Sequence, residues 1–208
     1  MRCTALVRFA VVAASLPCVS CGGGGGGKTP VTVTITSTGG LDGFATSNGS
    51  VASDSQGGVV VGDAGAVGFR GFVSFELSGV SAGATIQSAT LKVIQNVVAG
   101  APYATLGDVF VDQVVYGTVF EAGAYNRSFP SNQGLGPISV DQLLGQKTLD
   151  VRAAVQTSVD RQDAQCQFRL RFSVESNQDG VSDQALFGGG SPQALANDQA
   201  TLTITYLH

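Results

Sequence analysis

The segment Glu175-Ser176-Asn177-Gln178-Asp179-Gly180, followed by Asp183, places side-chain oxygens at alternate positions ahead of a glycine. That matches the front half of a calcium loop, because calcium is a hard cation that takes carboxylate, amide and carbonyl oxygens. The pattern stops there: the twelfth position is Leu186, where such a loop carries a bidentate glutamate. Glu175, Asn177, Asp179 and Asp183 are thus the candidate ligands for a structural calcium. A solvated turn rich in Asn, Asp and Gly is the competing reading of the same letters.

Sugar recognition would need an aromatic platform beside planar polar groups. The chain has no tryptophan, so the aromatic candidates are Tyr103, Tyr116, Tyr125 and Phe129. Tyr125-Asn126-Arg127 falls in a stretch with loop composition, where a ring and a guanidinium are expected to face solvent. Arg70, Arg169 and Arg171 fall on the polar parity of predicted strands. There they either line a groove or pair with Glu76 or with aspartates across the sheet. Catalysis finds no comparable set. The sole histidine is His208, the last residue of the sequence, so a Ser-His-Asp or Cys-His constellation would have to be built on it, and none is expected. The carboxylates Glu76, Glu121 and Glu175 cannot be placed at a glycosidase spacing from the sequence. The chain reads as non-enzymatic.

The elements that would position these residues are strands. In Phe69–Val98 the residues Phe69, Gly71, Val73, Phe75 and Leu77 share one parity, and Arg70, Ser74 and Glu76 the other, with Phe72 as the exception. Ala89, Leu91, Val93 and Val97 then alternate with Ser88, Thr90, Lys92 and Asn96. A period of two buries one face of each strand and wets the other, so a second sheet must cover the apolar side. Further strands are predicted at 31–35, 59–61, 109–116, 118–120, 168–174 and 202–206. One helix is predicted near 150–160, with Asp150 at its start and Val151, Val155 and Val159 on one side. Many short strands, one helix and no βαβ rhythm predict an all-β, two-sheet antiparallel sandwich.

At the N-terminus, Arg2 and Arg8 precede the apolar run Phe9–Leu16, which is shorter than the roughly 20 residues a bilayer span requires. This predicts an export signal over 1–20. Cys18-Val19-Ser20-Cys21-Gly22 resembles a bacterial lipobox, which implies lipidation at Cys21 and a membrane anchor. Gly22–Gly27 predict a flexible tether, because glycine loses the most backbone entropy on ordering. The expected organisation is signal 1–20, lipidated cysteine and tether 21–28, and one domain over 29–208. No aspartate stands at the second position after Cys21, a pattern that resembles outer-membrane lipoproteins of the cell envelope. With Cys3 and Cys18 removed and Cys21 lipidated, Cys166 remains alone, so no disulfide or thiolate metal site is expected. Removing the signal arginines leaves 9 basic against 15 acidic residues, a net charge near −6 that disfavours nucleic-acid binding.

The strings Phe69-Arg70-Gly71-Phe72-Val73-Ser74-Phe75-Glu76-Leu77 and Ser81-Ala82-Gly83-Ala84-Thr85-Ile86-Gln87-Ser88-Ala89-Thr90-Leu91 resemble the DNRLRE domain family, with its "RFDLS…LPAGATI-SATL" core. Asp42-Gly43-Phe44, Val59–Gly62, Leu149-Asp150-Val151 and Leu202–Tyr206 resemble its flanking segments. The six-letter signature has only Arg169-Leu170-Arg171 as an echo. The resemblance implies a jelly-roll-like sandwich related to carbohydrate-binding modules, and hence a polysaccharide partner. The other expectation is a structural or adhesive surface protein that binds a second protein.

Overall fold

The computed structural model describes residues 28–54, 58–128, 134–190 and 198–207. The expected export signal, Cys21 with its glycine tether, Phe129 and His208 lie outside these residues.

Among the described residues twelve strands form two layers, and every pairing is antiparallel. The first layer runs β1 (Pro30–Thr36), β12 (Thr201–Leu207), β6 (Thr85–Ala99), β11 (Ser182–Phe187) and β4 (Val59–Ala64), with β9 (Gly145–Asp150) on the other edge of β6. The second runs β3 (Val51–Ser53), β2 (Gly43–Thr46), β5 (Val67–Glu76), β10 (Gln165–Phe172), β7 (Val109–Val114) and β8 (Gly136–Ser139). Strand β5 joins them: residues 67–69 pair with β4, and residues 71–76 pair with β10. At that passage Gly71 is required by space, since a Cβ there would lie 2.6 Å from Val59 Cγ1 and 3.1 Å from Val61 Cγ1.

The alternation read from the sequence is the alternation of burial. Val73 and Phe75 of β5 meet Phe168 and Leu170 of β10 and Leu91 and Val93 of β6 in one core, all fully buried. Strand β12 buries Leu202, Ile204 and Tyr206 and turns its threonines outward. The sandwich with its short helix is therefore as expected. That helix, Arg152–Asp160, starts where Asp150 Oδ1 accepts from the Arg152 N–H at 2.9 Å, and it buries Ala154, Val155 and Val159. A one-turn helix, Pro102–Thr105, follows β6; the sequence reading did not include it.

One expected strand is absent. Residues 118–120 form a turn, and Phe120 packs on Phe72 and Tyr116, with ring centroids 5.3 and 5.6 Å away. This explains why Phe72 broke the alternation of β5. The outer face of the second layer carries a small core of its own, made by Leu41, Ala45, Phe72, Val114, Tyr116, Ala124 and Tyr125. A 3₁₀ turn at Ala122–Asn126 completes this roof, so β5 is covered on both faces there.

Candidate functional site

Beside that roof the outer face is polar, and the register of β5, β10 and β7 decides which side chains meet. Arg169 lies opposite both Phe72 and Asp112, and Arg171 is one outward step along the same strand. Asp112 is fully buried. Its Oδ2 accepts from Arg169 Nη2 at 2.7 Å and from Arg171 Nε at 2.7 Å, and its Oδ1 accepts from the Gly134 N–H at 2.7 Å. Burial acts to raise the Asp112 carboxyl, but hydrogen bonds from Arg171 and Arg169 outweigh it and hold the group below the ordinary carboxylate range. Arg70, from β5, donates through Nη1 to the Tyr125 carbonyl at 2.6 Å and through Nη2 to Glu175 Oε2 at 3.1 Å. Its guanidinium lies 4.1 Å from the centroid of the Tyr125 ring, a cation–π contact.

The structure brings Arg70, Arg169, Arg171 and Tyr125 together, and Glu175, which the sequence reading put among the calcium candidates, joins them through Arg70. Tyr125 is not a solvent-facing platform. It is only 5% exposed, because its ring belongs to the roof and lies against Arg70. Its hydroxyl points towards Gly68, where a Cβ would lie 2.8 Å away, and has no hydrogen-bond partner. Arg127 contributes its backbone carbonyl, which accepts from Arg169 Nη1 at 2.8 Å, while its half-exposed guanidinium faces Glu121. Tyr116 is buried with its hydroxyl donating to the Leu41 carbonyl, and Tyr103 bonds to Gln95 and Ser139. These tyrosines hold the fold.

The calcium set does not assemble. Glu175 is engaged with Arg70. Asn177 and Asp179 close their own turn: the Asp179 N–H donates to Asn177 Oδ1 and the Val181 N–H to Asp179 Oδ1. Asp183 is buried in β11, where its carboxylate accepts from the Ala101 N–H at 2.6 Å and from Thr105 Oγ1 at 2.7 Å, tying the two ends of the one-turn helix to the strand. The letters of 175–183 thus correspond to a hairpin turn, and no three Asp, Glu, Cys or His side chains converge among the described residues. Cys166 is buried in the main core as expected, and burial pushes its thiol up to about 12.

Sequence reasoning missed Asp112. The signal was a carboxylate inside the apolar run Val109–Val114, on the strand beside Arg169 and Arg171. Between Arg70, Arg171 and Glu175 lies a cleft of about 130 Å³, also lined by Gly62, Phe69, Phe172 and Ser173. Its arginines are held in place by Asp112, Glu175 and backbone carbonyls. The cleft thus offers fixed planar donors, one carboxylate and two aromatic edges, which suit hydroxyl-rich or anionic ligands. Neither family models nor curated proteins give a match to this sequence.

Proposed function

We propose that the domain is a non-catalytic polysaccharide-binding module, held at the bacterial cell envelope by a lipid on Cys21. The observation that carries this reading is the cleft itself. Arg70 and Arg171 reach it from neighbouring strands as donors already oriented by Asp112, Tyr125 and Glu175, so little side-chain entropy is lost when a sugar is bound. The DNRLRE-like strings at 69–91 support the same reading, because they surround Arg70 in the sequence. For chemistry on a glycosidic bond the cleft offers only Glu175 among the described residues, and that carboxylate is paired with Arg70.

The test is retardation of the chain in gels containing neutral or acidic polysaccharides. Retention by one glycan is expected, and loss of at least tenfold in affinity on Arg171→Ala or Glu175→Ala. Retention by no glycan, with the folded state verified by circular dichroism, would discard the reading.

A protein partner is favoured by a different observation. Val140, Leu143 and Leu144 are 56%, 71% and 62% exposed around the β8–β9 connection. In that case pull-down of an envelope protein, lost on Leu143→Asp, replaces glycan retention as the positive result.

A further inference from the structure

Among the described residues four strands, β1, β3, β8 and β9, pair on one side only. Exposed edges invite pairing with another chain, and natural sheets blunt them by brevity, proline or charge. Strand β3 has three residues, β8 has four and carries Pro137, and β9 carries Lys147 and Asp150. Strand β1 is protected by none of these along its length. It runs Pro-Val-Thr-Val-Thr-Ile-Thr over seven residues, uncharged, with an unbroken register against β12.

That register decides which backbone groups the edge presents. The Ser37 N–H donates to the Ala200 carbonyl at 3.0 Å, in line with the β1–β12 pairing. In an antiparallel ladder, pairs that exchange hydrogen bonds alternate with pairs that do not. Val31, Val33 and Ile35 therefore turn their N–H and C=O groups to β12, and Thr32, Thr34 and Thr36 turn theirs outward. The side chains agree with this assignment. Thr32 Oγ1 lies 2.9 Å from Thr205 Oγ1, and Thr34 Oγ1 lies 3.1 Å from Thr203 Oγ1, the close approach of pairs without backbone bonds. All three threonines are exposed. The open edge ends at Thr36, because the Thr38 N–H donates to the Ser74 carbonyl at 2.8 Å as the chain crosses to the second layer.

We infer that the outer edge of β1 is a dimer seam, and that its occupant is β1 of a second copy, laid antiparallel about a two-fold axis at Thr34. This register sets Thr34 against Thr34 and Thr32 against Thr36 of the other copy. Three threonines with one N–H and one C=O each give six outward groups per copy, and the seam joins all of them in six hydrogen bonds. Pro30, which has no N–H to offer, falls outside these bonds. On the inner face Val33 meets Ile35, and on the outer face threonine meets threonine. An isologous contact requires such self-complementarity, and no charge of β1 opposes its own image across the axis. Seven residues a side fall well below the roughly 20–30 of a stable interface, so the pair belongs to the weak, reversible class. Its two copies point in opposite directions. The seam therefore forms between free chains or between chains on two apposed membranes, and not between copies standing parallel on one bilayer.

The test is sedimentation equilibrium of the mature chain carrying Cys21→Ser, which removes the proposed lipid, at concentrations from about 1 µM to 1 mM. A reversible monomer–dimer equilibrium within that range is expected. Thr34→Pro removes an N–H that only the seam uses, a change an edge strand accepts. Thr34→Lys and Thr34→Glu each set two like charges opposite one another at the axis. Each of the three should weaken dimerisation about tenfold or more, with the circular dichroism spectrum unchanged. An equimolar mixture of the Lys and Glu variants should associate again, because unlike charges then face each other, and a merely disturbed fold would not give that rescue. A chain that stays monomeric throughout overturns the proposal. So does a dimer that survives all three substitutions, or a mixture that fails to associate.

Discussion

At the scale of single residues, the outer face is dominated by one carboxylate. Asp112 accepts from two guanidiniums that the strand register sets beside the roof, so its removal leaves buried Arg169 with only the Tyr125 and Arg127 carbonyls and no opposite charge, and Arg171 without its ion pair. Asp112→Ala is expected to cost about 3–5 kcal/mol, read from urea unfolding, whereas exposed ion pairs such as Arg161–Asp163 should cost under about 1 kcal/mol. Tyr125 presents the opposite case. Its hydroxyl is buried without a partner, so Tyr125→Phe should raise stability by about 1 kcal/mol, and a loss of stability would show that the hydroxyl is satisfied in solution. The pH dependence separates Asp112 from Asp42. The folded Asp112 carboxyl lies below its unfolded value, so its contribution is present above about pH 4 and is lost on acidification. The folded Asp42 carboxyl lies above its unfolded value, so its contribution is full below about pH 4 and disappears as pH rises to about 7. The Asp42 contribution should therefore decline between about pH 4 and 7, and Asp42→Asn should flatten that decline.

At the scale of elements, the roof over β5 is the feature that separates this sandwich from a bare two-layer one. Phe72 is its anchor, edge-to-face with Tyr116 and tilted against Phe120. Phe72→Ala should cost about 3–5 kcal/mol and open the 115–128 segment to limited proteolysis while the main core stays protected. Uniform sensitivity along the chain would mean that the roof and the main core unfold as one unit. The same feature marks the limit of what could be read beforehand. Strands with one wet face, such as 69–77, 85–98 and 202–206, announce themselves by period two. Strand β7 is buried on both faces and carries Asp112 and Gln113 inside it, so its alternation is blurred. Strand β9, Gly-Gln-Lys-Thr-Leu-Asp, covers an edge of β6 with almost no apolar residues and leaves no signal. In the site, the parity of the three arginines was legible. The depth of Tyr125 was not, because it depends on a long-range contact with Phe72 and Arg70 that no local pattern encodes.

At the scale of the whole molecule, the two ends of the sandwich have different relations to the proposed anchor. Pro30 pairs with Leu207, which pairs with Thr85 at the start of β6. Gly62, which lines the cleft, pairs with Gln184, which pairs with Ala99 at the end of β6. Strand β6 has 15 residues, and at about 3.3 Å per residue it separates these ends by roughly 45 Å when fully extended. An anchor at Cys21, as proposed, would thus leave the cleft and the 175–180 turn on the far side from the bilayer, within reach of the proposed glycan. The turn near Gly79, bonded through its carbonyl to the Tyr206 hydroxyl, lies at the Pro30 end. Fluorophores placed by Ser81→Cys and Gln178→Cys can measure this on lipidated protein in vesicles, since buried Cys166 resists labelling. Nitroxide-bearing lipid should quench the label at 81 several-fold more than the label at 178. Equal quenching would mean that the glycine tether lets the domain lie flat, and the strongest quenching at 178 would mean that the cleft faces the membrane and binds lipid headgroups or nothing at all.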